Sequence, residues 1–309
     1  MSRRVAIVGH GAIGRELAEA LRARGGYDLA IVLRPGSKAL AELSQAPHAE
    51  VLASGEPRST QDGASFEAGL RPAPQDEDVG VSPTGAARSG HMTFITDRAG
   101  LAAFGPSLVV EAAGAGAVRE WGPAALALGT PLLLSSVGAL HDEQLRALLV
   151  DAAEKAGTRL YLPSGALAGL DYVRAARGAE ALSVAYESRK PPAAWADELA
   201  RLGLPAQPAE TVTLFEGNAR EAAARYPANL NVAATLALAG PGFEATKVSV
   251  VVDPAARGNT HRIAVASALG TLDLAVANKP SPDNPKTSWI VSRSLLAAIE
   301  QHFSTVVLL

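Results

Sequence analysis

The sequence predicts an α/β protein: a doubly wound parallel sheet followed by a second, α+β domain. Three observations predict it. A glycine triplet, Gly9-x-Gly11-x-x-Gly14, sits between a short apolar strand and an amphipathic helix. Strands and helices then alternate as far as Leu162. After Asp171 that alternation gives way to short strand segments with helices between only some of them.

The elements follow in order. Val5-Ala6-Ile7-Val8 is a buried strand, and the helix after the glycines carries Ile13, Leu17 and Leu21 at i, i+4 spacing. Gly25-Gly26 ends that helix, and Leu29 to Leu33 is the next strand, completing a unit that implies a parallel sheet. Further strands are expected at Ser107–Glu111, Pro131–Ser135 and Arg159–Leu162, with helices at Val118–Leu128 and Asp142–Ala156. Residues 54–90 break the rhythm. They are rich in Gly, Pro, Ser, Asp and Arg and hold too little apolar surface to offset the entropy of ordering, so a flexible surface insertion is expected, with a structured lid as the alternative.

In the second half, strands are expected at Leu182–Glu187, Thr211–Phe215, Lys247–Val252, His261–Ala266 and Thr271–Ala277, with a helix over Asn231–Ala239. Gly270-Thr271 reads as a hairpin turn. A last helix from Thr287 to His302 shows Ile290, Ser294, Ala297 and Ala298 along one side and is expected to return to the first domain. The expected division is therefore 1–165, 166–285 and 286–309.

Composition narrows the function classes. With 309 residues, 48% hydrophobic and 19% charged, the chain can bury a substantial core and is long enough for two domains. A net charge of -3 gives no support for phosphate-backbone binding, so no nucleic acid is expected. The absence of cysteine excludes a disulfide framework, a thiolate zinc site and a cysteine nucleophile, and no other metal-ligand cluster stands out. No signal peptide or bilayer-length apolar run is evident, which makes a cytoplasmic protein without membrane contact the expectation.

The glycines point to a dinucleotide. Gly9 permits a tight turn, Gly11 admits a pyrophosphate to the backbone, and Gly14 lets the helix lie close to the sheet. Ala12 and Ile13 complete the helix mouth that faces the anion. This is the Rossmann arrangement. Its usual acid at the end of the second strand is replaced by Arg34, twenty positions after Gly14. An arginine there either pairs with a 2′-phosphate, admitting NADP as well as NAD, or points away into solvent.

The segment from Asn218 to His261 holds the remaining polar candidates. His261 begins a strand on whose inner face it is joined by Ile263 and Val265, so periodicity alone reads it as core, whereas chemistry reads it as an acid/base with an unperturbed pKa near ~6.5. His10, His48, His91, His141 and His302 are poorer candidates; His141 reads as a helix-cap residue. Asn229 and Asn231 read either as helix caps or as hydrogen-bonding groups for a cofactor. Lys190 and Lys286 read either as solvated charges or as cations for a carboxylate substrate.

Together these motifs resemble the L-aspartate dehydrogenase family. The matching pieces are GHGAIG at Gly9, EAAG at Glu111, SSVGAL at Ser135, LPSGALAGLD at Leu162, RKP at Arg189, YPANLNVAATLALAG at Tyr226, DP at Asp253, NTH at Asn259 and NPKTS at Asn284. The resemblance implies a Rossmann domain, an α+β catalytic domain that often mediates dimerisation, and NAD(P)-dependent oxidation of L-aspartate to iminosuccinate, which can feed NAD biosynthesis. Carried over by residue, it implies cofactor contacts at Ala166 and Asn231 and a catalytic His261, and it favours Lys190 as a substrate contact, with Asn229 a cap or substrate contact. The insertion before Met92 departs from the pattern. Two other readings stand beside it: a related reductase, dihydrodipicolinate reductase-like or homoserine dehydrogenase-like, and a non-catalytic NAD(P)-binding sensor.

Overall fold

The computed structural model describes residues 3–43, 49–52, 92–226, 231–282, 284 and 287–308. The segment read as an insertion, 54–90, lies outside the described residues, as do Asn229, Lys286, His48 and His91. In the first half, β1 (Arg3–Val8), α1 (Ala12–Arg24), β2 (Tyr27–Val32), α2 (Lys38–Leu43), β3 (Ala49–Leu52), β4 (Met92–Ile95) and α3 (Arg98–Phe104) come first. They are followed by β5 (Leu108–Glu111), α4 (Ala115–Ala127), β6 (Leu132–Leu134), a 3-10 turn at Val137–His141, α5 (Glu143–Lys155) and β7 (Leu160–Tyr161).

These strands form one seven-stranded sheet in the order β3-β4-β2-β1-β5-β6-β7, with every pairing parallel. Strand order reverses between β1 and β5, and that crevice is where a doubly wound sheet receives its ligand. β1 is buried on both faces, as a central parallel strand must be. Val5 and Ile7 pack with Leu17 and Leu21 of α1, while Ala6 and Val8 face Val118, Trp121 and Ala125 of α4. The sequence reading passed over β3, β4 and α3. They are only four, four and seven residues long, too short to show a period.

The second half contains α6 (Leu170–Ala175), β8 (Ser183–Lys190), a 3-10 turn at Pro192–Trp195, α7 (Ala196–Arg201), β9 (Val212–Asn218), α8 (Ala219–Arg225) and α9 (Asn231–Ala239). It continues with β10 (Thr246–Val252), β11 (Asn259–Ser267), β12 (Gly270–Asn278) and α10 (Ile290–His302). A five-stranded mixed sheet runs β12-β11-β8-β10-β9, parallel only between β8 and β10. Its inner face packs on α9, whose residues Val232–Ala237 are all buried. α8 starts on a capping box in which Asn218 and Glu221 satisfy each other's backbone N–H groups.

Two expectations need correction. The hairpin turns at Ala268-Leu269, because Ser267 pairs with Gly270 and β12 already begins there. The buried face of α10 is Ser292, Leu295, Leu296 and Ile299, which pack in the α1 core; Ile290 and Ala297 are exposed. The alanines misled because small residues on a helix mark no particular face, whereas the leucines do. Trp289 Nε1–H donates to Glu16 of α1 (3.0 Å), and Arg24 of α1 pairs with Glu300.

Candidate active site

The glycine turn is shaped by close approach. Gly9 has φ +101°, and a Cβ there would lie 2.6 Å from the Ala113 Cβ. A Cβ on Gly14 would overlap the Gly9 carbonyl oxygen, whereas at Gly11 the space is open. α1 therefore lies against the turn, and Gly11 leaves a concave surface where a ligand can reach the backbone. Gly11 is the N-cap of α1, with no side-chain cap and no acid in the first turn, so the amide dipoles of Ala12, Ile13 and their neighbours stay available to an anion. α4 repeats the arrangement, starting from Gly114 with no side-chain cap.

Glu111 holds the floor between these helices. It is 1% exposed at the end of β5. One carboxylate oxygen accepts from the N–H groups of Ala113 and Gly114 (both 2.7 Å) and the Ser136 hydroxyl (3.0 Å); the other accepts from the Ser136 N–H (3.0 Å). Burial pushes its carboxyl above the usual range, against the pull of those donors. One side chain thus fixes the loops after β5 and β6 together, at the crevice the sheet topology predicts.

Across the crevice stands the second sheet. β8 alternates strictly, so Val184, Tyr186, Ser188 and Lys190 all face inward, and the face turns polar toward its C-terminal end. His261 on β11 lies opposite Ser188 in the antiparallel register. It is 3% exposed, and its Nδ1 lies 2.7 Å from the Tyr186 hydroxyl while Nε2 is buried without a hydrogen-bond partner. Lys190 is also 3% exposed, its ammonium 5.4 Å from the centre of the Trp195 ring. Burial lowers the Lys190 pKa to about 8. Burial, and then the charge of Lys190, lower that of His261 to about 3. The pKa near 6.5 expected for a free imidazole is thereby corrected: desolvation disfavours the imidazolium and the neighbouring ammonium adds to it.

One cavity of about 450 Å³ joins these parts. It is lined by Ile13, Gly114, Ser136 and Ala166 from the first half and by Lys190, Asn231 and His261 from the second, together with Thr287 and Ser288 ahead of α10 and Val291 in its first turn. Its size suits a small-molecule site. Asn231 opens α9 and its Oδ1 accepts from the Gly138 N–H (2.9 Å), so the donors it can offer a ligand are on Nδ2. The Ala166 carbonyl accepts from Asn278 Nδ2 (3.0 Å). Arg34 lies exposed just past the end of β2 and is not among the cavity-lining residues. Arg189, beside Lys190, is tied to Glu187 and Asp253 and faces the other side of the sheet. His141 does not cap the helix after it; the Asp142 carboxylate does, accepting from the Leu145 N–H. Sequence reasoning missed Tyr186, Glu111 and Ser288. Tyr186 could have been found from the inward alternation it shares with Lys190. Among the described residues, no group of three or more His, Cys, Asp or Glu side chains could hold a metal, and no helix is long and apolar enough to cross a membrane.

A glycine turn at a sheet's switch point, facing a buried imidazole and ammonium on a second sheet, defines a two-domain nicotinamide-dependent dehydrogenase. Residues 9–163 match the family model described as "Homoserine dehydrogenase, NAD binding domain", and residues 171–302 match "Aspartate dehydrogenase, C-terminal". L-aspartate dehydrogenase 2 of Bordetella pertussis is 52% identical over 219 residues, 71% of this chain and 82% of that protein. L-aspartate dehydrogenase of Methanosarcina barkeri is 46% identical over 201 residues, 64% of this chain and 74% of that one. The crystal structure of aspartate dehydrogenase from Thermotoga maritima shares the fold over 100% of both chains, with a TM-score of 0.64 at 23% identity. The chain belongs to the L-aspartate dehydrogenase family, and its cofactor is NAD or NADP.

Proposed function

We propose that the protein oxidises L-aspartate to iminosuccinate with NAD or NADP, and that His261 is the acid/base of the reaction. The observation that carries the assignment is the sharing of one cavity by the glycine-turn helix, Lys190 and His261. The residues fit the cofactor: Gly9, Gly11 and Gly14 with Ala12 and Ile13 would form its pyrophosphate cradle, and Ala166 and Asn231, which line the cavity, would flank its nicotinamide end. When bound, the nicotinamide accepts the hydride released from the substrate Cα.

The protein's own residues do the rest. His261, neutral at physiological pH, takes one proton from the α-ammonium of aspartate and frees the nitrogen lone pair. Departure of the hydride then leaves the C=N bond of protonated iminosuccinate, which water can convert to oxaloacetate and ammonia. Burial is the larger cause of the lowered His261 pKa, and a substrate carboxylate beside Lys190 would offset the smaller part that comes from the ammonium charge. In the reverse direction the same nitrogen returns the proton. Thr287 and Ser288 supply hydroxyls to the cavity, and Lys286 and Asn229, which lie outside the described residues, are proposed as further substrate contacts. The deciding assay is reduction of NAD and NADP with a panel of L- and D-amino acids. Turnover confined to L-aspartate is expected; turnover of homoserine instead, or of none, would refute the reading.

Lys190 sets a pH dependence. An ammonium grips a carboxylate only while protonated, and its free-enzyme pKa is about 8. KM for aspartate should therefore rise as pH climbs through about 8. Lys190→Met should raise KM by about 10–100-fold at neutral pH, the cost of one charged hydrogen bond, and remove that dependence. Initial-rate kinetics between pH 6 and pH 10 check both.

Arg34 is proposed to meet the adenosine ribose. Arg34→Asp should lower kcat/KM with NADP at least ~10-fold relative to NAD, through loss of a phosphate pairing and gain of repulsion. An unchanged ratio would remove Arg34 from the site. We also propose a cytoplasmic homodimer formed through the outer face of the second sheet, where Ala185, Ser249 and Ala264 leave room for close approach. Sedimentation equilibrium tests it.

A further inference from the structure

We propose that Tyr186 is a positioning residue for the reaction, holding Nδ1 of His261 so that Nε2 is the nitrogen presented to substrate. The inference rests on the reading of His261 as acid/base. Tyr186 is 2% exposed, and its hydroxyl lies 2.7 Å from Nδ1. The two rings are nearly parallel, 17° apart, with centres separated by 6.0 Å. The register explains the contact. Tyr186 pairs across the sheet with Ile263, which makes it the diagonal neighbour of His261 on the same face, within reach of an aromatic side chain.

The choice of a phenol has a chemical logic. A neutral imidazole has one N–H and one lone pair, and a hydroxyl can serve either. When the Tyr186 oxygen accepts from Nδ1–H, the Nε2 lone pair is open to take a proton. When Tyr186 donates to Nδ1, Nε2 carries a hydrogen to give. One contact thus supports both oxidation of the amine and reduction of the imine. A carboxylate in the same place could only accept, and it would draw the nearby Lys190 ammonium away from the substrate. Burial pushes the Tyr186 phenol well above its usual range, so it stays a neutral hydroxyl.

Tyr186→Phe removes the hydroxyl and keeps the ring. It should lower kcat for aspartate by about 10–100-fold, the value of one buried hydrogen bond to the reacting group, and change KM and cofactor Kd by less than about twofold. In a His261→Ala background the same change should cost nothing further, because Tyr186 acts through the imidazole. In protein labelled with 15N-histidine, Nδ1 of His261 should show the shift of a hydrogen-bonded ring nitrogen in the free wild-type enzyme and lose it in Tyr186→Phe. Equal losses in both backgrounds, unchanged 15N shifts or a collapse of cofactor binding would overturn the proposal. If His261→Ala alone proved fully active, the acid/base reading would fall, while the 15N comparison would still decide whether Tyr186 holds the ring.

Discussion

Replacing His261 by alanine should lower kcat for aspartate oxidation by about 10²–10⁴-fold, the usual loss when a general acid/base is removed. Cofactor affinity should change little, because the glycine turn proposed to hold the dinucleotide belongs to the other sheet, and of its helix Ile13 lines the cavity. KM for aspartate should stay within a fewfold of wild type if Lys190 provides the grip. The fold should lose about 1–3 kcal/mol, because the alanine removes the unpartnered Nε2 but also takes Nδ1 from the buried Tyr186 hydroxyl. The stability of the variant, followed by urea unfolding, separates loss of chemistry from loss of structure. A variant with near-wild-type kcat would remove His261 from the mechanism.

Gly14→Ala should be nearly as damaging by a different route. The added methyl would overlap the Gly9 carbonyl oxygen, which is backbone and cannot swing aside as a side chain tip can. α1 must then move away from β1, against a core in which Leu17 and Leu21 are almost wholly buried. Overpacking of this kind costs about 1–3 kcal/mol. The displaced helix mouth should also weaken NAD or NADP binding by at least ~10-fold, since the anion is held by amide groups whose positions the helix sets. Gly11→Ala is the matched control: the space there is open, so stability should be retained while a bound pyrophosphate would meet the new methyl. Fluorescence titration of the reduced cofactor, together with thermal melting, reads both quantities.

Much of the first sheet was legible because each strand is a run of apolar residues followed by a helix with a clear period. The parts that were not legible are short or lie at its edge: β3 and β4 depend on pairing beyond β2, which four residues cannot announce. In the second sheet the strands were placed within a few residues, but β8 and β9 each run three residues further than expected, to Lys190 and Asn218. Their ends are polar, and polarity in sequence reads as loop, whereas here Ser188 is buried and Lys190 lines a cavity.

For the site, the glycine turn could be read from spacing, since its geometry is local. His261 could not be separated from a core histidine by periodicity, because its neighbours Ile263 and Val265 are core in fact. Its distinctive features are non-local: a tyrosine seventy-five positions earlier and an ammonium on the same strand as that tyrosine. Glu111 was hidden for the same reason. Two of its bonds reach Ser136, twenty-five residues away, and nothing in the local sequence announces that a strand-end acid will tie two loops together.

The return of α10 to α1 bears on how the protein comes into being. Leu295, Leu296 and Ile299 join Leu17 and Leu21 of α1 in one apolar cluster, and the residues leading into that helix, Thr287 and Ser288, line the cavity. During synthesis both emerge after the nucleotide-binding half, which therefore leaves the ribosome without those residues on its apolar stripe. A fragment ending near residue 165 would lack them permanently, and a stop codon before residue 287 would yield a chain with an unfinished active site. Anyone dissecting the two halves should carry the terminal helix along with the first, by fusion or co-expression.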